Sequence, residues 1–129
     1  EEEDIVTRIL LPNPPDNAGT SYMKFANKAS HFAIVGIAVS ATIISGKCTR
    51  IRVGITGAGP RATRAWKTEA FLEGKEIIGD IISKASMLSG DGIDFLGDLH
   101  ASEEYREHLT NVFVRRAIEE AISRSSLVS

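Results

Sequence analysis

The stretch 98–124, Asp-Leu-His-Ala-Ser-Glu-Glu-Tyr-Arg-Glu-His-Leu-Thr-Asn-Val-Phe-Val-Arg-Arg-Ala-Ile-Glu-Glu-Ala-Ile-Ser-Arg, constrains the fold more than any other part of this sequence. Tyr105, Leu109, Val112, Phe113, Ala117 and Ala121 recur at steps of three and four, and Val114, Ile118 and Ile122 widen the stripe. That spacing predicts one long helix with a broad apolar face that another layer has to cover, and a charged face opposite. Ser102 is the expected N-cap, and Glu103 and Glu104 put negative charge in the first turn, where the helix dipole favours it. Glu120 and Arg124 form a favourable i,i+4 pair, whereas residues 125–129 lose the pattern and are expected to fray. The rod spans roughly 33 Å, enough to cross a small domain.

The rest of the chain supplies the covering layer. Residues 5–11 alternate loosely and read as a strand, halted by the proline-rich connection 12–19. Residues 20–28 alternate with period two, with Tyr22, Lys24, Ala26 and Lys28 on one side and Met23, Phe25 and Asn27 on the other. Residues 33–44, rich in Val and Ile but carrying Gly36, read as a central strand. The turn Ser45-Gly46-Lys47 leads into 48–56, where Ile51, Val53 and Ile55 oppose Arg50, Arg52 and Gly54, so these two strands form a hairpin.

From Thr63, a candidate cap, the period becomes helical. One helix is expected through Glu73, with Ala65, Trp66, Ala70 and Leu72 on its apolar side. A second is expected from Ile77, Ile78, Ile81, Ile82, Ala85 and Leu88, weakened by about 1 kcal/mol through Gly79 in its interior. Four strands followed by three helices, without alternation, imply an α+β two-layer sandwich: an antiparallel sheet with its helices on one face.

Composition excludes several classes. The chain has 129 residues, 43% of them hydrophobic and 25% charged, which fits one globular domain with a real core. A net charge of -2 without a basic patch argues against nucleic acid and anionic membrane as partners. The lone Cys48 cannot close an internal disulfide and reads as a small packed side chain. No apolar run reaches membrane-spanning length, and the acidic start is the reverse of a secretory leader, so the expected compartment is cytoplasmic. A start without Met that opens directly into a strand-like run points to a piece of a longer polypeptide.

Few motifs carry chemistry. Gly57-Ala58-Gly59-Pro60-Arg61-Ala62 matches the dinucleotide fingerprint, but a helix rather than a second parallel strand follows, so it reads as a structural turn. His31, His100 and His108 lack metal-ligand spacing, and Asp91, Asp94 and Asp98 lack the rest of a calcium loop. No nucleophile or acid pair marks an autonomous active site, and no catalytic or metal-binding residue is assigned. The pair Tyr22 and Lys24 differs, because i and i+2 of a strand share a face and set an aromatic ring beside an ammonium. Such a pair can line a ring-shaped anionic cofactor or form an ordinary solvated strand face.

An ordered set of segments carries a resemblance across almost the whole chain. It comprises Ser21-Tyr22-Met23-Lys24-Phe25, Phe32-Ala33-Ile34-Val35-Gly36-Ile37-Ala38, Gly59-Pro60-Arg61-Ala62-Thr63-Arg64-Ala65 and Glu69-Ala70-Phe71-Leu72-Glu73-Gly74-Lys75. Asp98, Ser102-Glu103-Glu104-Tyr105-Arg106 and Arg115-Arg116-Ala117 follow in order. The set resembles the C-terminal domain of the FAD-binding (medium) subunit of carbon monoxide dehydrogenase and related molybdenum hydroxylases, including xanthine dehydrogenases.

The resemblance implies part of an electron-transfer subunit in an oxidoreductase, not itself catalytic, whose FAD receives electrons from a molybdenum centre through iron–sulfur clusters. Its partners would be the N-terminal FAD-binding domains of the same subunit, the molybdenum-containing large subunit and the iron–sulfur small subunit. The pyrophosphate-binding glycine-rich segments of the family precede this domain, so FAD would not be retained by this piece alone. By resemblance Tyr22 meets the face of the isoalloxazine ring and Lys24 its polar edge. The sequence departs from the family at Asn27 and Ala29, where arginines are frequent, near His31, where an acidic residue is, and at His100-Ala101, where an Arg-Gly pair is. The rival expectation is a stand-alone α+β interaction module without a redox role.

Overall fold

The structure, a computed structural model, describes residues 4–13, Pro15 and residues 17–126. Four strands come first: β1 (Ala18–Ala26), β2 (Ala33–Ile44), β3 (Lys47–Thr56) and β4 (Thr63–Arg64). Three helices follow: α1 (Trp66–Leu72), α2 (Gly79–Ser86) and α3 (Glu103–Ser126). Neighbouring strands pair antiparallel in the order β1-β2-β3-β4, and the helices pack on one face, which is the expected α+β two-layer arrangement.

Strand alternation sorts the two faces. Ser21, Met23 and Phe25 of β1, Ile37, Val39 and Ala41 of β2, and Ile51, Val53 and Ile55 of β3 turn toward the helices, where α3 supplies Leu109, Val114, Ala117, Ile118 and Ala121. The β2–β3 hairpin closes through Ser45 and Gly46, both with positive φ, the two-residue geometry that suits the right-handed twist of paired strands. Helix α3 lies so close to β1 that a Cβ on Gly19 would fall 1.8 Å from the Ala121 carbonyl oxygen. The Ser21 hydroxyl uses that closeness to donate to the Ala117 carbonyl at 2.6 Å. At the other end of α3, Ser102 caps as expected, its hydroxyl accepting from the Tyr105 N–H.

The sheet's membership differs from the expectation. Residues 5–11 join no strand, because Ile5, Val6, Ile9, Leu10 and Leu11 lie 75–87% exposed with no neighbouring ladder to pair with. The fourth strand is instead Thr63–Arg64, placed where a helix cap was expected, with Thr63 opposite Ile55 and Arg64 opposite Gly54. Helix α1 therefore starts only at Trp66, and no side chain caps it. Its inward face is Thr68, Glu69 and Leu72, while Trp66 and Ala70 are exposed.

The burial of Glu69 has a cause in the sheet edge. Two-residue β4 leaves most of β3 unpaired on its outer side, and α1 supplies the missing acceptors. The Val53 N–H donates to the Glu69 carboxylate at 2.9 Å and the Ile51 N–H to that of Glu73 at 3.4 Å. The Val53 carbonyl accepts from the Ala65 N–H, and Cys48 exchanges main-chain bonds with Gly74 and Lys75. An edge closed in this way cannot template pairing with another chain.

Two further expectations change. Gly79 is the first residue of α2 rather than an interior one, so the expected interior penalty does not arise. Ser125 does not fray: it is buried in the last turns of α3, its hydroxyl donating to the Asn17 carbonyl and accepting from the Ile43 N–H. Residues 127–129 of the expected frayed tail lie outside the described residues.

Candidate functional site

The face of the sheet away from the helices is open. Its centre is a floor of small residues, because the register aligns Tyr22 with Ala38, Ala38 with Gly54, and Gly54 with Arg64 across all four strands. A shallow trough of about 680 Å³ lies there, walled by Tyr22, Arg52, Arg64 and Arg124. Tyr22 and Lys24 both stand on this face, as their alternation requires. Tyr22 is 59% exposed and Lys24 is exposed.

The Tyr22 ring leans across to β2. A Cβ on Gly36 would sit 2.9 Å from the Tyr22 hydroxyl oxygen and 2.9 Å from Thr56 Cγ2, so the missing side chain of Gly36 makes room for the tip of Tyr22. The Lys24 ammonium turns toward the β1–β2 connection and donates to the His31 carbonyl at 3.2 Å. The two side chains thus bring a flat apolar surface and a positive donor to neighbouring points of one face.

The guanidinium groups along the trough are held by carboxylates. Arg64 lies between the Trp66 ring, 3.6 Å from its centroid, and the Glu69 carboxylate, with which it makes two hydrogen bonds. Arg52 pairs with Glu73 at 2.6 Å, and this bond is the chief reason the Glu73 carboxyl titrates below its ordinary value. Arg124 pairs with Glu120 at 2.5 Å, the expected i,i+4 contact, and also donates to the Thr20 carbonyl. These arginines were missed as site residues. The signal for Arg52 was its place opposite Ile51 and Val53, whereas Arg64 and Arg124 become neighbours of Tyr22 only through the fold.

Beside Lys24, residues distant in sequence meet. The Asn27 Nδ2 and His100 Nδ1 are 3.1 Å apart, and the His100 and Ala101 N–H groups donate to Asp98. Arg106, only 4% exposed, donates to Asp98 at 2.6 Å and to the carbonyls of Ile34 and Gly57 at 2.7 and 2.9 Å. The N–H of His100 first, with those of Ala101 and the Arg106 guanidinium, holds the Asp98 carboxyl below its ordinary value. Asp98 is therefore a clamp at the start of α3. Asp91 pairs with Lys67, and no three metal-ligating side chains gather among the described residues. The Gly57–Ala62 segment links β3 to the antiparallel β4 and opens no helix, so it lacks the geometry of a dinucleotide cradle.

Fold and site together define an α+β domain with one sheet face covered by helices and the other offering an exposed aromatic ring beside a lysine ammonium. The chain belongs to the CO dehydrogenase flavoprotein C-terminal domain family, which matches residues 20–121. It is 30% identical over 130 residues to the carbon monoxide dehydrogenase medium chain of Afipia carboxidovorans, and 27% identical over 123 residues to the nicotine 6-hydroxylase medium subunit of Paenarthrobacter nicotinovorans. Those alignments take in 97% and 95% of this chain but 43% of each relative. Among solved structures, it is similar to a carbon monoxide dehydrogenase from Hydrogenophaga pseudoflava lacking the Mo-pyranopterin moiety of its molybdenum cofactor. The TM-score is 0.84 at 27% identity, over 88% of this chain and 40% of that one. No described helix is long and apolar enough to cross a membrane.

Proposed function

We propose that this domain covers the isoalloxazine ring of FAD in the medium subunit of a molybdenum hydroxylase, with Tyr22 against the ring and Lys24 at its polar edge. The observation that carries the reading is the pair itself, a half-exposed aromatic ring whose hydroxyl tip lies over Gly36, with an ammonium beside it on the open face of a family flavoprotein domain. The residues present fit the ring. They do not offer a pyrophosphate site, since the glycine-rich turn at 57–62 opens no helix. The dinucleotide end of FAD is therefore assigned to the N-terminal FAD-binding domains of the same subunit, and the molybdenum and iron–sulfur subunits are the remaining partners.

FAD, when bound, supplies the electron-accepting and electron-passing chemistry. Tyr22 contributes stacking area and shields one ring face from water, and Lys24 sets a positive charge where reduction adds electron density. In the FAD-loaded subunit, Tyr22→Ala should weaken FAD binding by about 0.5–1.5 kcal/mol, and Lys24→Met should lower the flavin reduction potential. FAD titration into deflavinated protein and redox titration measure the two effects. Unchanged affinity and potential in both variants would sink the site assignment.

A further inference from the structure

A lysine on an open strand face does not fix its own charge. Its four rotatable bonds give the ammonium many positions, and a hydrogen bond favours one of them only where its acceptor is itself held in place. The position of the Lys24 ammonium is therefore set by whatever fixes its acceptor, the His31 carbonyl. His31 has φ 59, a left-handed conformation that is strained for a non-glycine residue and that its surroundings have to hold.

Asn27 does the holding. Its carbonyl accepts from the His31 N–H and its own N–H donates to the Phe32 carbonyl, both at 2.9 Å. Its side-chain Oδ1 accepts from the N–H groups of Ala29 and Ser30 at 2.9 and 3.1 Å. With Oδ1 committed to two donors, the amide orientation is set and Nδ2 is left facing His100 Nδ1 at 3.1 Å. Nδ2 can only donate, so His100 accepts at Nδ1 and carries its proton on Nε2. His100 is in turn anchored through its main chain to Asp98, and Asp98 to the buried Arg106.

We infer that Asn27 and His100 are positioning residues for the Lys24 ammonium, tying the turn that holds it to the Asp98–Arg106 clamp of α3. The inference rests on the flavin reading for its redox consequence, but the contact network stands in this chain without a cofactor. A tied turn keeps the charge at one point of the open face, and an untied one lets it wander into solvent.

Two experiments test this separately. In this chain, brief acetylation followed by mass spectrometry reads the reactivity of Lys24, with the exposed Lys84 on α2 as internal control. Asn27→Ala and His100→Ala should raise Lys24 labelling several-fold and leave Lys84 unchanged, while His100→Gln, which keeps a side-chain acceptor, should restore the parent rate. Thermal melts verify that all three variants fold. Unchanged Lys24 labelling in both alanine variants overturns the inference. In the FAD-loaded subunit, the alanine variants should lower the flavin potential in the direction of Lys24→Met but by less. A shift with Lys24→Met and none with either alanine variant overturns the positioning role while leaving the flavin reading intact. No shift with Lys24→Met removes Lys24 from the flavin reading, which then stands or falls on Tyr22→Ala, and the labelling result decides the positioning role alone.

Discussion

Cys48 is wholly buried at the start of β3, and burial pushes its thiol up to about 11, with the Glu73 charge adding to the rise and the Arg50 main chain opposing it. The ordinary thiol value, taken for the unfolded chain, is 9.0. Between these values the unfolded chain sheds a proton that the folded chain keeps, so stability is full below about pH 9 and falls as pH rises toward 11. The two-unit interval corresponds to roughly 2–3 kcal/mol. Urea denaturation at pH 8 and pH 10.5 should show a larger loss in the parent than in Cys48→Ala, and equal losses would refute the assignment. Packing of the lone cysteine and the shared face of Tyr22 and Lys24 were legible in the sequence, because each follows from residue type or a period of two. Arg106 was not. It stands three residues before Leu109 and seven before Phe113, on the apolar stripe, but a charged residue there reads as belonging to the solvated face. The Asp98 carboxylate and the carbonyls of Ile34 and Gly57, brought together only by the fold, give it a reason to be buried.

At the scale of elements, long periodic segments were readable and short ones were not. Helix α3, β2 and β3 each carry enough repeats to declare themselves, whereas the two residues of β4 carry no pattern at all and exist because Ile55 and Gly54 offer them an edge. The same missing length explains α1. Its sequence was read by hydrophobicity, which put Trp66 and Ala70 inside, but its position is dictated by the carboxylates that close the rest of β3. Glu69, 3% exposed, satisfies the Val53 N–H and the Arg64 guanidinium together. Glu69→Ala leaves the buried Val53 N–H without its acceptor and the part-exposed Arg64 without its carboxylate, and should cost about 1–3 kcal/mol, with Glu69→Gln costing less because one acceptor remains. Urea melts read the loss. Trp66, the single tryptophan, stacks on Arg64, so its emission should change in the alanine variant even under conditions where the chain stays folded. A loss below about 0.5 kcal/mol would mean that the edge of β3 does not depend on this side chain.

At the scale of the whole molecule, the order of strands before helices was enough to place both layers, since four consecutive strands without crossovers close most simply as an antiparallel sheet. What hydrophobicity could not reveal was that residues 5–11, with the composition of a strand, stay outside the sheet. The β1 edge lies against α3, where the Thr20 carbonyl accepts from Arg124, and the β3 edge is closed by β4 and α1. The five apolar side chains of this segment consequently remain in water, and burying each would contribute about 1.5–3 kcal/mol. Such a segment adds nothing to the core between sheet and helices and offers apolar surface on which association can occur. Removing residues 1–11 should therefore suppress concentration-dependent self-association while leaving the thermal midpoint of the domain unchanged, because Pro12, Asn13 and Pro15, which line one pocket with Ser40, Thr42, Arg50 and Arg52, are retained. Sedimentation velocity over a range of concentrations, alongside calorimetry of the same two proteins, separates the two effects. A lowered midpoint on truncation would show that residues 5–11 belong to the fold after all, and identical sedimentation would show that their exposed side chains do not drive association.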